Sequence, residues 1–339
     1  MENKTKVRFL IVRFSSIGDI VLTTPVIRML KKQVENAEIH YLTKSKFLTV
    51  LKNNPYIDKL HVLEDTITSV LDKIENENID YIIDLHNNLR TSLVKRRIKA
   101  TAFSFNKLNY KKWLLVNFKI NLLPKIHIVD RYLNTCSVFD VVNDNQGLDF
   151  FIDPINEINP ENNTLPLPAT YFAFVIGAQH ATKRLPNNKI ADIIAGLNHP
   201  VLLMGDSTDG TRVNEISSLA KQQNPNVIIY NGCGIFNLQQ SASLIKKAAV
   251  VITHDTGLMH IAAAYKKKII SVWGNTVPEF GMFPYMPDSL SKIFEITDLK
   301  CRPCSKIGYT KCPKKHFNCM NKINTAELAE YANKIIDIQ

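Results

Sequence analysis

The chain reads as an α/β protein made of two Rossmann-like halves, each built on a parallel sheet. Three observations carry that expectation. Short apolar runs alternate with helix-periodic stretches in both halves. A proline- and asparagine-rich tract breaks the pattern near the middle. In each half, one strand delivers small and acidic residues straight into a helix start.

In the first half, strands are expected near 7–13, 38–42, 59–63, 80–85 and 101–105. The run VRFLIVRF opens the series and leads into Ser15-Ser16-Ile17-Gly18-Asp19, followed by the apolar-periodic IVLTTPVIRMLKK. Pro25 either kinks this helix or sits in the first turn of a new one capped by Thr23 or Thr24. Asp19 in both cases stays near the carboxyl edge of the first strand, where open α/β sheets place their chemistry. Residues 153–169, DPINEINPENNTLPLPA, lack periodicity and read as a linker. A second series follows, with strands near 171–176, 200–204, 226–230, 249–253 and 268–273. The expected division is a domain over 1–155, a linker over 156–169 and a second domain over 170–323. A closing helix, 324–339, has Asn324 at its start and Glu327 as capping-box partner, and can pack on either domain.

The most informative junction is AVVITHDTGLMHIAAA, 249–264. A helix start leaves backbone N–H groups without intrahelical partners and carries the positive end of the helix dipole, so phosphate oxygens are stabilised there. Asp255 or Thr256 can cap this helix, and Gly257 allows a ligand close to the backbone. Asn231-Gly232-Cys233-Gly234 follows another strand, as a second close approach or a plain turn.

With 339 residues and 45% hydrophobic content, the chain is long enough for two well-buried domains. No apolar run reaches the roughly 18 residues of a membrane helix, and the N-terminus lacks a signal-peptide pattern, so a cytoplasmic location is expected. The formal net charge of +11 points to acidic partners. No helix-turn-helix, finger or RNA-binding aromatic motif supports nucleic acid among them. Cations crowd into Lys95-Arg96-Arg97-Ile98-Lys99, Lys107, Lys111-Lys112, Lys119, Lys125 and Arg131. There YKKWLLVNFKINLLPK mixes Trp113, Leu114, Leu115, Phe118 and Leu122 with lysines; such a segment can be a solvated face or rest on a membrane surface without crossing it.

FSSIGDIVLTTPVIRMLKK at the start, IDLHNNLRT at 83–91, GAQHATKRLP at 177–186 and ITHDTGLMHIAAAYKKKIISVWG at 252–274 occur in that order. Together they resemble glycosyltransferase family 9, the heptosyltransferases of lipopolysaccharide core assembly. The resemblance implies a GT-B fold, two Rossmann-like domains facing a central cleft. It also implies ADP-heptose as donor, held mainly by the C-terminal domain, and a lipid A-linked core acceptor received by the N-terminal domain, with peripheral contact to the inner membrane. Asp19 is similar to the family's general base, with helix capping as its ordinary alternative role, and Gly18 shares its loop. Lys183, with Thr182 beside it, matches the lysine that reaches the donor; a solvated loop cation is the plainer reading. Asp255, Thr256 and Gly257 resemble the donor-binding turn. His260, one turn on, faces the phosphates or is a satisfied structural residue. The acidic residue expected near the ribose is Asp206 or Asp209.

The chemistry suits inverting transfer without a cofactor: a carboxylate takes the acceptor proton while a lysine and a helix start neutralise the departing diphosphate. Cys301, Cys304, Cys312 and Cys319, with His316 as an alternative ligand, suit a structural zinc, free thiols or redox pairing. Two other classes of function stay open. One is a GT-B transferase or epimerase acting on another nucleotide sugar, such as a UDP-sugar. The other is a non-enzymatic protein that binds anionic polymers.

Overall fold

The computed structural model describes residues 6–64, 66–159 and 165–338. The chain divides into two compact units: 1–108 with 126–151, and 109–125 with 152–339. Part of the expected linker, residues 160–164, lies outside the described residues.

The first unit holds five strands: β1 (Val7–Val12), β2 (Ala37–Lys44), β3 (Lys59–Leu63), β4 (Tyr81–Asp84) and β5 (Thr101–Ser104). Every pairing is parallel, in the order β3-β2-β1-β4-β5. Leu10, Val12, Leu42 and Ile82 from the strands pack with Val70, Leu71 and Ile74 of helix Ile67–Glu75 and with Val94 of helix Leu89–Ile98. Pro25 falls in the first turn of helix Thr24–Gln33, with Thr23 as N-cap, so a new helix begins there instead of a kinked one continuing. From this helix the buried Arg28 donates to Asp144 (2.8 and 2.9 Å), to Asp149 and to the Gly147 carbonyl (2.9 Å). A charge taken out of water needs such partners, and they bind residues 144–149 to this helix.

The second unit holds β6 (Phe172–Val175), β7 (Val201–Met204), β8 (Ile229–Asn231), β9 (Val250–His254), β10 (Lys268–Trp273) and β11 (Lys292–Glu295). All are parallel, in the order β11-β10-β9-β6-β7-β8. Phe172, Phe174, Leu203, Ile252 and Ile270 centre its core. The closing helix, Thr325–Ile336, belongs here, burying Leu328, Ala329, Ala332, Ile335 and Ile336 in that core. Asn324 accepts the Glu327 N–H at 3.1 Å; the Glu327 carboxylate meets the Asn324 side-chain amide, at 3.5 Å, and not its backbone.

In both units the first strand lies between the second and the fourth, so the strand order reverses beside it. Loops leaving the carboxyl ends of the two strands at such a reversal diverge and leave a crevice, the usual ligand position in open α/β sheets. The reversal falls between β1 and β4 in the first unit and between β6 and β9 in the second.

Candidate functional site

At the reversal of the second unit, the loop after β6 passes through a short turn, Ala181–Lys183, to Pro186, which caps helix Asn187–Ala195. The loop after β9 carries Asp255 and Thr256 into helix Gly257–Ala264. Lys183 Nζ lies 2.5 Å from Asp255 Oδ2, and Thr276 Oγ1, beyond β10, donates to the same oxygen at 3.1 Å. Three loops therefore converge on one carboxylate. Thr256 is the N-cap: its hydroxyl accepts from the Met259 N–H at 3.4 Å and lies 3.3 Å from Thr253 Oγ1. The amides of Gly257 and Leu258 open the helix just ahead of that bond, two and three residues on from the paired Asp255.

Beneath this surface, fully buried His254 accepts the Leu185 N–H at Nε2 (3.0 Å). Burial first, and the Arg212 charge second, push its imidazole down to about 3, so it is a neutral strut. Thr182, 2% exposed, bonds the Tyr309 backbone in both directions: Tyr309 N–H donates to its hydroxyl at 2.8 Å, and its own N–H donates to the Tyr309 carbonyl at 3.2 Å. Its hydroxyl is thus engaged in fastening the 301–319 excursion to the turn that carries Lys183.

The acidic pair after β7 separates clearly. Asp209 is 2% exposed and faces Arg212 at 3.1 Å. A Cβ on Gly177 would fall 2.4 Å from its Oδ2 and one on Gly205 2.6 Å, so two glycines make the space for this carboxylate. Asp206 is the more accessible of the two, its Oδ1 accepting from the Thr208 N–H at 2.8 Å. The hydrogen bonds to Thr208 foremost hold its carboxyl below the usual range.

In the first unit Asp19 is the third residue of the short helix Ile17–Val21, with Gly18 buried just before it. It is not the N-cap. Ser16 is, and Asp19 Oδ2 accepts from the Ser16 N–H (3.1 Å) and hydroxyl (2.8 Å). Asp19 Oδ1 pairs with Arg13 at 2.6 Å. Arg13 is fixed by donating to the carbonyls of Ser15 (2.8 Å) and Leu85 (2.6 Å) and to the Tyr132 hydroxyl (3.1 Å). Across the reversal, Asp84 at the end of β4 is fully buried and accepts the His86 and Asn87 N–H groups at 3.1 and 2.6 Å. His86 stands edge-on to Phe14; burial, then the Arg13 charge, push its imidazole down to about 4.

Of the residues anticipated from sequence, Thr182, Lys183, Asp255, Thr256 and Gly257 come together in the second unit. His260 is 2% exposed in the body of its helix. Asp19 and Gly18 lie at the first unit's own reversal. Arg13, His86, His254, Thr276 and Tyr309 were not anticipated as parts of these constellations. An arginine directly after the apolar run Phe9–Val12 was a usable signal for Arg13, because a cation at a buried strand end requires partners. No local pattern marks Thr276 or Tyr309.

Cys301 Sγ lies 3.8 Å from His316 Nε2, and Cys301, Cys304, Cys312 and Cys319 are free thiols. Among the described residues, no group of three or more His, Cys, Asp or Glu side chains is placed to hold a metal ion. No helix among them is long and apolar enough to cross a membrane.

A glycosyltransferase family 9 structure from Veillonella parvula is similar in fold, with a TM-score of 0.74 at 23% identity over 99% of this chain and 98% of its own. So is the E. coli ADP-heptose LPS heptosyltransferase II, with a TM-score of 0.74 at 18% identity over 97% and 98%. The architecture is the GT-B fold, and the protein is a glycosyltransferase. Lipopolysaccharide heptosyltransferase 1 of Campylobacter coli is 25% identical over 347 aligned residues, 96% of this chain and 98% of that one. The family model of glycosyltransferase family 9 (heptosyltransferase) matches residues 67–313, and the chain belongs to that family.

Proposed function

We propose that this glycosyltransferase moves heptose from ADP-heptose to a hydroxyl of a lipopolysaccharide inner-core acceptor, with inversion at the anomeric carbon. The observation that carries the reading is the Lys183–Asp255 pair set against the amides of Gly257 and Leu258 at the second unit's strand reversal. A cation and a helix start stabilise the charge that grows on a departing diphosphate. The names of the Campylobacter coli relative and the E. coli structure supply the sugar and the nucleotide.

In the proposed reaction the acceptor oxygen attacks the anomeric carbon and its proton passes to the Asp19 carboxylate. The bond from that carbon to the diphosphate oxygen breaks, and its electron pair leaves with ADP. Arg13 orients Asp19 through their 2.6 Å ion pair, and Gly18 lets the backbone lie close to the reactants. Lys183 shifts from Asp255 toward the diphosphate, which frees Asp255 for sugar hydroxyls. Thr182 sets the position of Lys183, Thr256 caps the phosphate-facing turn, His260 is assigned to the phosphates one turn on, and Asp206 is assigned to the ribose. The first unit receives the acceptor and the second the donor, as the expected 1–155 and 170–323 domains would. The reaction asks for no metal.

Calorimetry against ADP- and UDP-sugars, followed by turnover of Asp19→Asn, tests the reading. ADP-heptose should be preferred, and the variant should keep donor affinity while losing about 100-fold or more in turnover. Preference for a UDP-sugar would overturn the donor assignment, and retained turnover would remove Asp19 as base.

A further inference from the structure

The helix Asn109–Phe118 and the irregular segment after it, to Lys125, belong to the second unit, although the chain before and after them belongs to the first. Their inner side is anchored. Leu115 packs with Val277 and Phe280, flanked by Val116 and Leu123. Lys119 Nζ closes the end of the helix, donating to the carbonyls of Val116 (2.6 Å), Pro303 (2.7 Å) and Cys301 (3.4 Å).

The outer side is different. Tyr110 is 70% exposed, Trp113 46%, Phe118 59% and Leu122 53%. Trp113 stacks on Tyr110 (centroids 6.3 Å apart) and meets Phe118 edge-on (5.2 Å), so the three rings form one continuous aromatic face. Apolar side chains scattered over a surface are ordinary; rings gathered in one patch mark an interaction site. Lys111 and Lys125 flank the patch in the sequence, while Lys119 is spent on the inner carbonyls and Lys112 lies over the Phe280 ring, and no acidic residue occurs anywhere between Asp84 and Asp130. A protein partner of ordinary composition would bring charges of both signs. A sheet of anionic headgroups over an apolar interior matches exposed aromatic rings in a segment whose only charges are cations.

We propose that residues 109–125 form a docking plate for an anionic lipid surface, with Tyr110, Trp113, Phe118 and Leu122 entering the headgroup boundary and Lys111 and Lys125 engaging the phosphates. The plate is built on the second unit, so it fixes that unit at the lipid surface. This inference does not rest on the donor or acceptor proposed above, because lipid binding is read in the absence of both.

The test uses the full-length protein with phosphatidylcholine vesicles containing about a third phosphatidylglycerol. Cosedimentation should show salt-sensitive binding, and Trp113→Ser/Phe118→Ser should weaken it by about tenfold or more while calorimetry with ADP stays unchanged. Lys111→Glu/Lys125→Glu, which leaves the rings in place, should weaken it similarly. Brominated lipids should quench part of the tryptophan emission in the parent and none in Trp113→Phe, since the other tryptophan, Trp273, is buried. Three outcomes would overturn the proposal: no binding of the parent at low salt, equal binding by the parent and both double variants, or a patch that mediates self-association, seen as a dimer in lipid-free solution that the ring substitutions abolish.

Discussion

Lys183 and Asp255 illustrate how a binding group can be kept ready in the absence of its ligand. With side chains only 16% and 12% exposed, the two neutralise each other at 2.5 Å, and Thr276 steadies the shared oxygen. Removing the lysine alone leaves an anion facing any incoming diphosphate. Lys183→Met should therefore weaken ADP binding by about 10- to 100-fold, the range of one charge-assisted hydrogen bond. Adding Asp255→Asn should recover part of the loss, which calorimetry on the single and double variants would show; a double variant no better than the single would refute the repulsion. Sequence made Asp255 and Thr256 visible because they stand where a strand runs into a helix start, whereas Lys183, which by itself reads as a solvated loop cation, was marked only by the family resemblance. It left Asp206 and Asp209 tied, since burial separates them and adjacent acidic residues carry no signal of burial. The partner of Thr182, 127 positions away, was equally beyond reach.

The strands that line the two reversals were legible because a strand in the middle of a covered parallel sheet is apolar on both faces and reads as an unbroken run. The sequence KIFE of β11 was missed for the converse reason: it lies at the sheet edge, three of its four residues are half-buried, and its ends are charged. The loops after β6 and β7 depend on what glycine lacks. Gly177→Ala would drive its methyl group into the Asp209 carboxylate and push it from Arg212. Disturbing a buried pair of this kind costs on the order of 3 kcal/mol, so the variant should melt several degrees below the parent. An unchanged melting temperature would mean that Asp209 has another place to go.

Over the whole molecule, buried neutral histidines set a common acid limit. Burial, then the charge of His40, pushes His61 in the first unit down to about 4, and His254 in the second stands at about 3, both from an ordinary value of 6.5. The unfolded chain binds these protons first as pH falls. Their contribution is complete above pH 6.5 and is lost as pH drops toward 4 and below, up to about 3 kcal/mol for His61 alone. Urea midpoints should fall between about pH 7 and about pH 5, and a flat profile would contradict the neutral burial. The unit membership of 109–125 was invisible in the sequence, where contiguity assigns it to the first half; only its packing on Val277 and Phe280 reveals the transfer. That loan of a helix governs how the gene can be divided. An expression fragment opening at residue 152 would lack the cover over Val277 and Phe280, and one closing at 151 would carry a greasy appendage with no seat. Separable halves would require the 109–125 stretch to be excised from one and grafted onto the other.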